Sequence, residues 1–113
     1  MKKDKAYLQD MFDAIRDIRT FTKNVNENEF LKDKEKQYAV IRGLEILGEA
    51  SKNISKELKE KHPDIPWRDI AGMRDKLIHF YFGIKIELVM ETALHKLPAL
   101  SKKLEAILKS DKF

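Results

Sequence analysis

The chain has no cysteine, which excludes disulfides and thiolate metal sites and is compatible with a reducing compartment. No apolar run approaches the roughly 20 residues that span a bilayer. The lysine-rich start, residues 1–5, leads into an amphipathic segment and not into the apolar core of a secretion signal, so the expected location is cytoplasmic, with no membrane partner. Strict apolar–polar alternation is missing everywhere, so no strand is expected, and no internal repeat, linker or low-complexity tract occurs. Glycine and histidine are scarce, at four and three residues. They form no glycine-rich phosphate loop, no nucleotide fingerprint and no histidine pair at i and i+4. Most kinase and metallohydrolase readings fall away, and neither a metal nor a cofactor is expected. A strong charge of one sign is missing too. Lysine and arginine number 23 against 19 acidic residues, a net charge of +4. That mild excess would assist approach to RNA or another polyanion, although most such charge is ordinary solvated surface.

What is present is helical periodicity. At 113 residues the chain reads as one domain, 1–113, large enough to bury roughly two thirds of its unfolded surface without staples. A first helix is expected over about residues 4–23, with Leu8, Met11, Phe12, Ile15 and Ile18 on its core face and a charged back. Residues 24–28 break the pattern, and a short helical turn is expected at 29–32. A second long helix is expected over about 33–60, with Val40, Ile41, Leu44, Leu47, Ile54 and Leu58 inward. Its other stripe, Ala39, Gly43, Ile46 and Ala50, lets a second helix come close, either within the chain or across a subunit boundary. Gly43 and Gly48 each cost up to about 1 kcal/mol in a helix interior, so packing should compensate. Pro63 and Pro66 end this element, and Pro66 suits the first turn of the next. Gly83 is placed to cap that third helix. Ile86, Val89, Met90, Ala93 and Leu97 then start a fourth, whose period continues through Leu104 and Ile107 past Pro98, where a kink or break is expected. The fold class is all-α, a bundle of four or five helices.

The third helix carries the anomaly. Trp67, Ile70, Ala71, Leu77, Ile78 and Tyr81 recur at helical spacing, yet Arg74 falls among them. A guanidinium cannot shed its charge, so a partly buried one must meet an anion or a set of acceptors, and a phosphate is one candidate. His79 lies five residues on, about 140° around a regular helix. One straight helix would not converge the two side chains, so the helix ends near His79 or a second copy of the motif approaches from another subunit.

Arg74, four residues, His79, one residue and Tyr81 resemble the signature of the HEPN superfamily, and specifically its HepT-like ribonuclease toxin branch, known from HepT/MntA toxin–antitoxin systems. The likeness extends to residues 38–50 (YAVIRGLEILGEA) and 64–83 (DIPWRDIAGMRDKLIHFYFG), and covers nearly the whole chain. Where the family commonly has a small polar residue after the arginine, this chain has Asp75. The resemblance implies a HEPN-like symmetric homodimer and a metal-independent endoribonuclease in which Arg74 and His79 are catalytic and Asp75 supports them. It implies that a partner nucleotidyltransferase antitoxin attaches AMP to Tyr81 as the off switch.

The chemistry suits the residues. A histidine with an unperturbed pKa of about 6.5 can take or give a proton near neutrality, and an arginine can brace a phosphate as charge gathers on its oxygens. RNA brings its own nucleophile, the 2′-hydroxyl, so the products would be a 2′,3′-cyclic phosphate and a 5′-hydroxyl, and DNA would stay uncut. The alternative is a non-catalytic HEPN subunit that serves a nucleotidyltransferase as a binding partner. His62 and His95 are expected to be structural or surface residues, and Trp67 a packing residue.

Overall fold

The computed structural model describes residues 2–79 and 85–111, with the backbone alone at Lys2 and His79. Seven α-helices follow one another among the described residues: α1 Lys2–Phe21, α2 Glu27–Lys32, α3 Lys34–Lys52, α4 Lys56–Lys61, α5 Trp67–His79, α6 Ile86–Glu91 and α7 Leu97–Ser110. A five-residue π-helical segment, Thr92–Lys96, joins α6 to α7 without a break. No strand occurs among them, as the missing alternation predicts. None of these helices is long and apolar enough to cross a membrane.

The boundaries are set by side chains that satisfy free amides. Asn24 takes a positive φ of 62°, which asparagine tolerates better than most residues, and ends the turn after α1. Asn26 accepts from the Glu29 amide at 2.8 Å, and Asp33 accepts from the Lys36 amide at 3.1 Å, so each starts a helix with a side-chain cap.

The expected second helix over 33–60 is two helices. α3 stops at Lys52, and Ser55 caps α4 by accepting from the Leu58 amide at 3.2 Å. The break is stabilised from far away in sequence. The buried carboxylate of Asp4 accepts from the Ser55 amide at 2.8 Å and from its hydroxyl at 2.6 Å. Ile54 and Leu58 still reach the core, because the turn between them re-aims the chain.

α3 is the central element, with α1 and α5 packed on it and α7 packed on α1. Leu8, Met11, Ile15 and Ile18 of α1 meet Val40, Leu44 and Leu47 of α3 and Leu97, Leu100, Leu104 and Ile107 of α7, all buried. A β-carbon added at Gly43 would lie 2.5 Å from Ile18 Cγ1. Of the two readings of the small-residue stripe, close packing within the chain therefore holds at Gly43, while Ile46 remains 41 % exposed. At Pro98 the helix neither stops nor runs on regularly. The Leu97 amide reaches back to Thr92 O, a wider turn just ahead of the residue that has no amide.

Candidate active site

The packing of α5 against α3 fixes where the motif lies. Ile70 and Leu77 are buried and Met73 packs beside them, so the inward stripe of α5 is narrower than its sequence suggests. Ile78, expected in that stripe, is 41 % exposed and shares a flank with Arg74, one turn earlier. A β-carbon at Gly48 would collide with Arg74 Cβ and come within 3.1 Å of Ile70 O. The glycine of α3 is thus the seat of the arginine's stem.

The guanidinium leaves that seat for the rim of a cleft of about 300 Å³. Tyr7 and Asp10 of α1, Arg42, Glu45, Ile46 and Glu49 of α3, and Arg74 and Ile78 of α5 line it. Arg74 is 23 % exposed. Its Nη2 lies 3.0 Å from Glu49 Oε2, and its Nη1 donates to Asp75 Oδ1 at 3.0 Å. The third donor, Nε, is buried with no hydrogen-bond partner among the described residues. Lys52 Nζ donates to the same Asp75 oxygen at 2.7 Å. These bonds, first that from Lys52 and then that from Arg74, hold the Asp75 carboxyl below the usual carboxylate range. The acceptors that a half-buried arginine requires are supplied within the chain by the carboxylates of Glu49 and Asp75.

Of the predicted site residues, Arg74 and Asp75 are in direct contact. His79 is the last residue of α5. Tyr81 and the expected cap at Gly83 lie outside the described residues. Sequence reasoning missed Glu49 and Lys52, which complete the charge network around Arg74. One signal was available: Glu49 directly follows the glycine on which α5 rests, so it had to lie beside whatever α5 placed there.

The remaining histidines take structural and surface positions. His62 Nε2 is 2.9 Å from Asp111 Oδ2, and its carbonyl accepts from Trp67 Nε1 at 3.0 Å. His95 pairs with Glu27 on the surface at 3.1 Å. Among the described residues no three histidine, aspartate or glutamate side chains are grouped so as to hold a metal ion.

The sequence profile of the family described as "Ribonuclease HepT-like" matches residues 11–107. The chain is 50 % identical over 105 residues to "Probable ribonuclease HepT" of Thermococcus cleftensis, covering 93 % of this chain and 96 % of that protein. It is 49 % identical over 105 residues to "Putative RNase MJ1216" of Methanocaldococcus jannaschii, covering 93 % and 87 % of the two chains. With "Putative RNase TTE0752" of Caldanaerobacter subterraneus subsp. tengcongensis it shares 42 % identity over 112 residues, covering 99 % of this chain and all of that one. No solved structure matches the chain.

Proposed function

This chain belongs to the ribonuclease HepT-like family of the HEPN superfamily, and from that premise we propose that it is an endoribonuclease that cuts RNA through the substrate's own 2′-hydroxyl, with Arg74 and His79 as its catalytic pair. The observation that carries the reading is a half-buried guanidinium opening on a cleft, in a chain that the family matches over residues 11–107. His79 takes the 2′-hydroxyl proton and the oxygen attacks phosphorus. Arg74 stabilises the charge on the non-bridging oxygens, and the 5′-oxygen leaves as its bond to phosphorus breaks, taking a proton from water. A 2′,3′-cyclic phosphate and a 5′-hydroxyl result, by a route that asks for no metal ion. Asp75 supports the pair by holding one edge of the guanidinium.

The active species is a symmetric homodimer in the cytoplasm. Arg74 and His79 stand about 140° apart on one helix, which favours a cleft completed by a second copy. Ile46 and Ile78, both 41 % exposed beside Arg74, give that copy an apolar surface to cover, with Asp10 and Arg42 as charges of both signs around it. Regulation falls to Tyr81, two residues past His79. A partner nucleotidyltransferase antitoxin transfers AMP to it: the phenolic oxygen attacks the α-phosphorus of ATP and pyrophosphate leaves. The new phosphodiester then competes with RNA for the arginine.

The test is cleavage of RNA by the purified dimer in EDTA, with dimerisation read by light scattering. Arg74→Ala and His79→Ala are each expected to lower the rate by at least about 100-fold with unchanged helical circular dichroism. Cleavage retained by either variant removes that residue from the mechanism, and a monomeric active species removes the composite cleft. Intact mass after incubation with the nucleotidyltransferase and ATP reads the switch. Wild type is expected to gain AMP and Tyr81→Phe none, and equal gain by both refutes the assignment to Tyr81.

A further inference from the structure

We propose that Glu49 is a built-in competitor for the phosphate at Arg74, an anion of the chain that occupies the substrate's place until RNA displaces it; this rests on the reading of Arg74 as the phosphate-binding residue. The two carboxylates on the guanidinium are not equivalent. Asp75 is held from two sides, by Arg74 at 3.0 Å and by Lys52 at 2.7 Å through the same oxygen. Among the described residues Glu49 makes one ion pair, to Arg74 Nη2 at 3.0 Å, and its side chain is 57 % exposed. It can swing into water at little cost, whereas Asp75 would have to abandon two cations at once.

Charge counting gives the same answer. Arg74 and Lys52 supply two positive charges, and Asp75 and Glu49 supply two negative ones, so the cluster is neutral as it stands. A phosphodiester gains little from a neutral cluster. With Glu49 withdrawn the cluster carries one positive charge, and the Nη2 edge that it covered is free to donate to a phosphate oxygen. Arg74 Nε, which has no partner among the described residues, points the same way. A buried donor without a partner marks an arrangement whose hydrogen bonding is incomplete, which a resettled guanidinium can improve. The stem cannot move much, since it packs directly on the backbone of Gly48, so the exchange of anions happens at the head.

The competitor role makes an unusual demand: removing the charge must tighten anion binding. A merely structural ion pair predicts no more than the small general gain from one negative charge fewer in the cleft. The probe is a fluorescently labelled all-2′-deoxy oligonucleotide, which lacks the attacking hydroxyl and reports binding alone. By anisotropy, Glu49→Gln is expected to bind it about three- to tenfold more tightly than wild type, the scale of one exposed to half-buried ion pair. The slope of log affinity against log salt should steepen by about 0.7, the single-strand value for one more neutralised phosphate. Glu45→Gln removes the same charge from the same cleft, where Glu45 makes no ion pair among the described residues, and should shift affinity by less than half as much. Equal or weaker binding by Glu49→Gln, an equal gain from Glu45→Gln, or no binding by any of the three proteins overturns the competitor role. RNA cleavage by wild type is scored separately. Tighter binding by the variant with no cleavage by either protein refutes the ribonuclease reading alone, and cleavage without tighter binding refutes the competitor alone.

Discussion

At the scale of single residues, the tie between Asp111 and His62 shows how a polar contact can serve the fold and leave the chemistry alone. Asp111 is 8 % exposed in its side chain and meets His62 Nε2 at 2.9 Å and Lys61 Nζ at 3.3 Å. The hydrogen bond from His62, assisted by Lys61 and opposed by burial, holds its carboxyl below the ordinary value near 3.8. A carboxyl depressed in the folded state stabilises the fold above its unfolded pKa, and the benefit is lost as pH falls through the folded pKa. Asp111→Asn is therefore expected to cost about 0.5–1 kcal/mol near pH 6, with the gap to wild type closing as the pH is taken below about 3.8. Urea denaturation at a series of pH values measures it, and a gap that widens on acidification contradicts the sign. The sequence left His62 as a structural or surface residue. It could not reveal the partner, since Asp111 lies far along the chain and meets His62 only after α7 has packed.

At the scale of elements, the helices themselves were legible and their interruptions were not. The period of Leu8, Met11, Ile15 and Ile18 placed α1 within two residues at each end. The break at residues 53–55 escaped because its reason is Asp4, a residue of another helix. At Pro98 the chemistry of the missing amide foretold a disturbance, and the packing of Leu97 and Leu100 decided that it would be a widened turn and not a stop. The two close-packed glycines of α3 separate a side-chain contact from a backbone one. A methyl at Gly43 meets the flexible end of Ile18, whereas a methyl at Gly48 meets Arg74 Cβ and a carbonyl oxygen, which cannot rotate away. Gly43→Ala should be close to neutral, because up to about 1 kcal/mol of helix propensity offsets the local repacking. Gly48→Ala should lose about 1–2 kcal/mol net and should displace Arg74 as well. Denaturant midpoints of the two variants decide this, and a Gly48→Ala protein as stable as Gly43→Ala would show that α5 can slide.

At the scale of the whole molecule, fold class was readable because periodicity needs no knowledge of neighbours, while the helices number seven among the described residues against the expected four or five, since the Asp4–Ser55 contact cuts one element and a π-helical turn divides another. The candidate site was half legible. Arg74 stood out as a charge in an apolar stripe, but Glu49 was marked only by its place after Gly48, and Lys52 became visible only when α3 and α5 lay side by side.

The small helix α4 has a consequence for how the chain could be rewired. Ser55, at its start, is held by Asp4, and His62, at its end, is held by Asp111. The first and last helices of the described structure are thus moored to opposite ends of a six-residue helix, roughly 10 Å apart by helical rise. A glycine–serine link of about six residues has the reach to join them. New ends opened at Asn24, in an exposed turn already off the helical path, would sever no helix. Such a circular permutant is expected to fold with the same helical circular dichroism and to keep both moorings. A permutant that collapses or fails to fold would mean that the order in which α1 and α7 are joined to the chain, and not their contacts alone, is required for assembly.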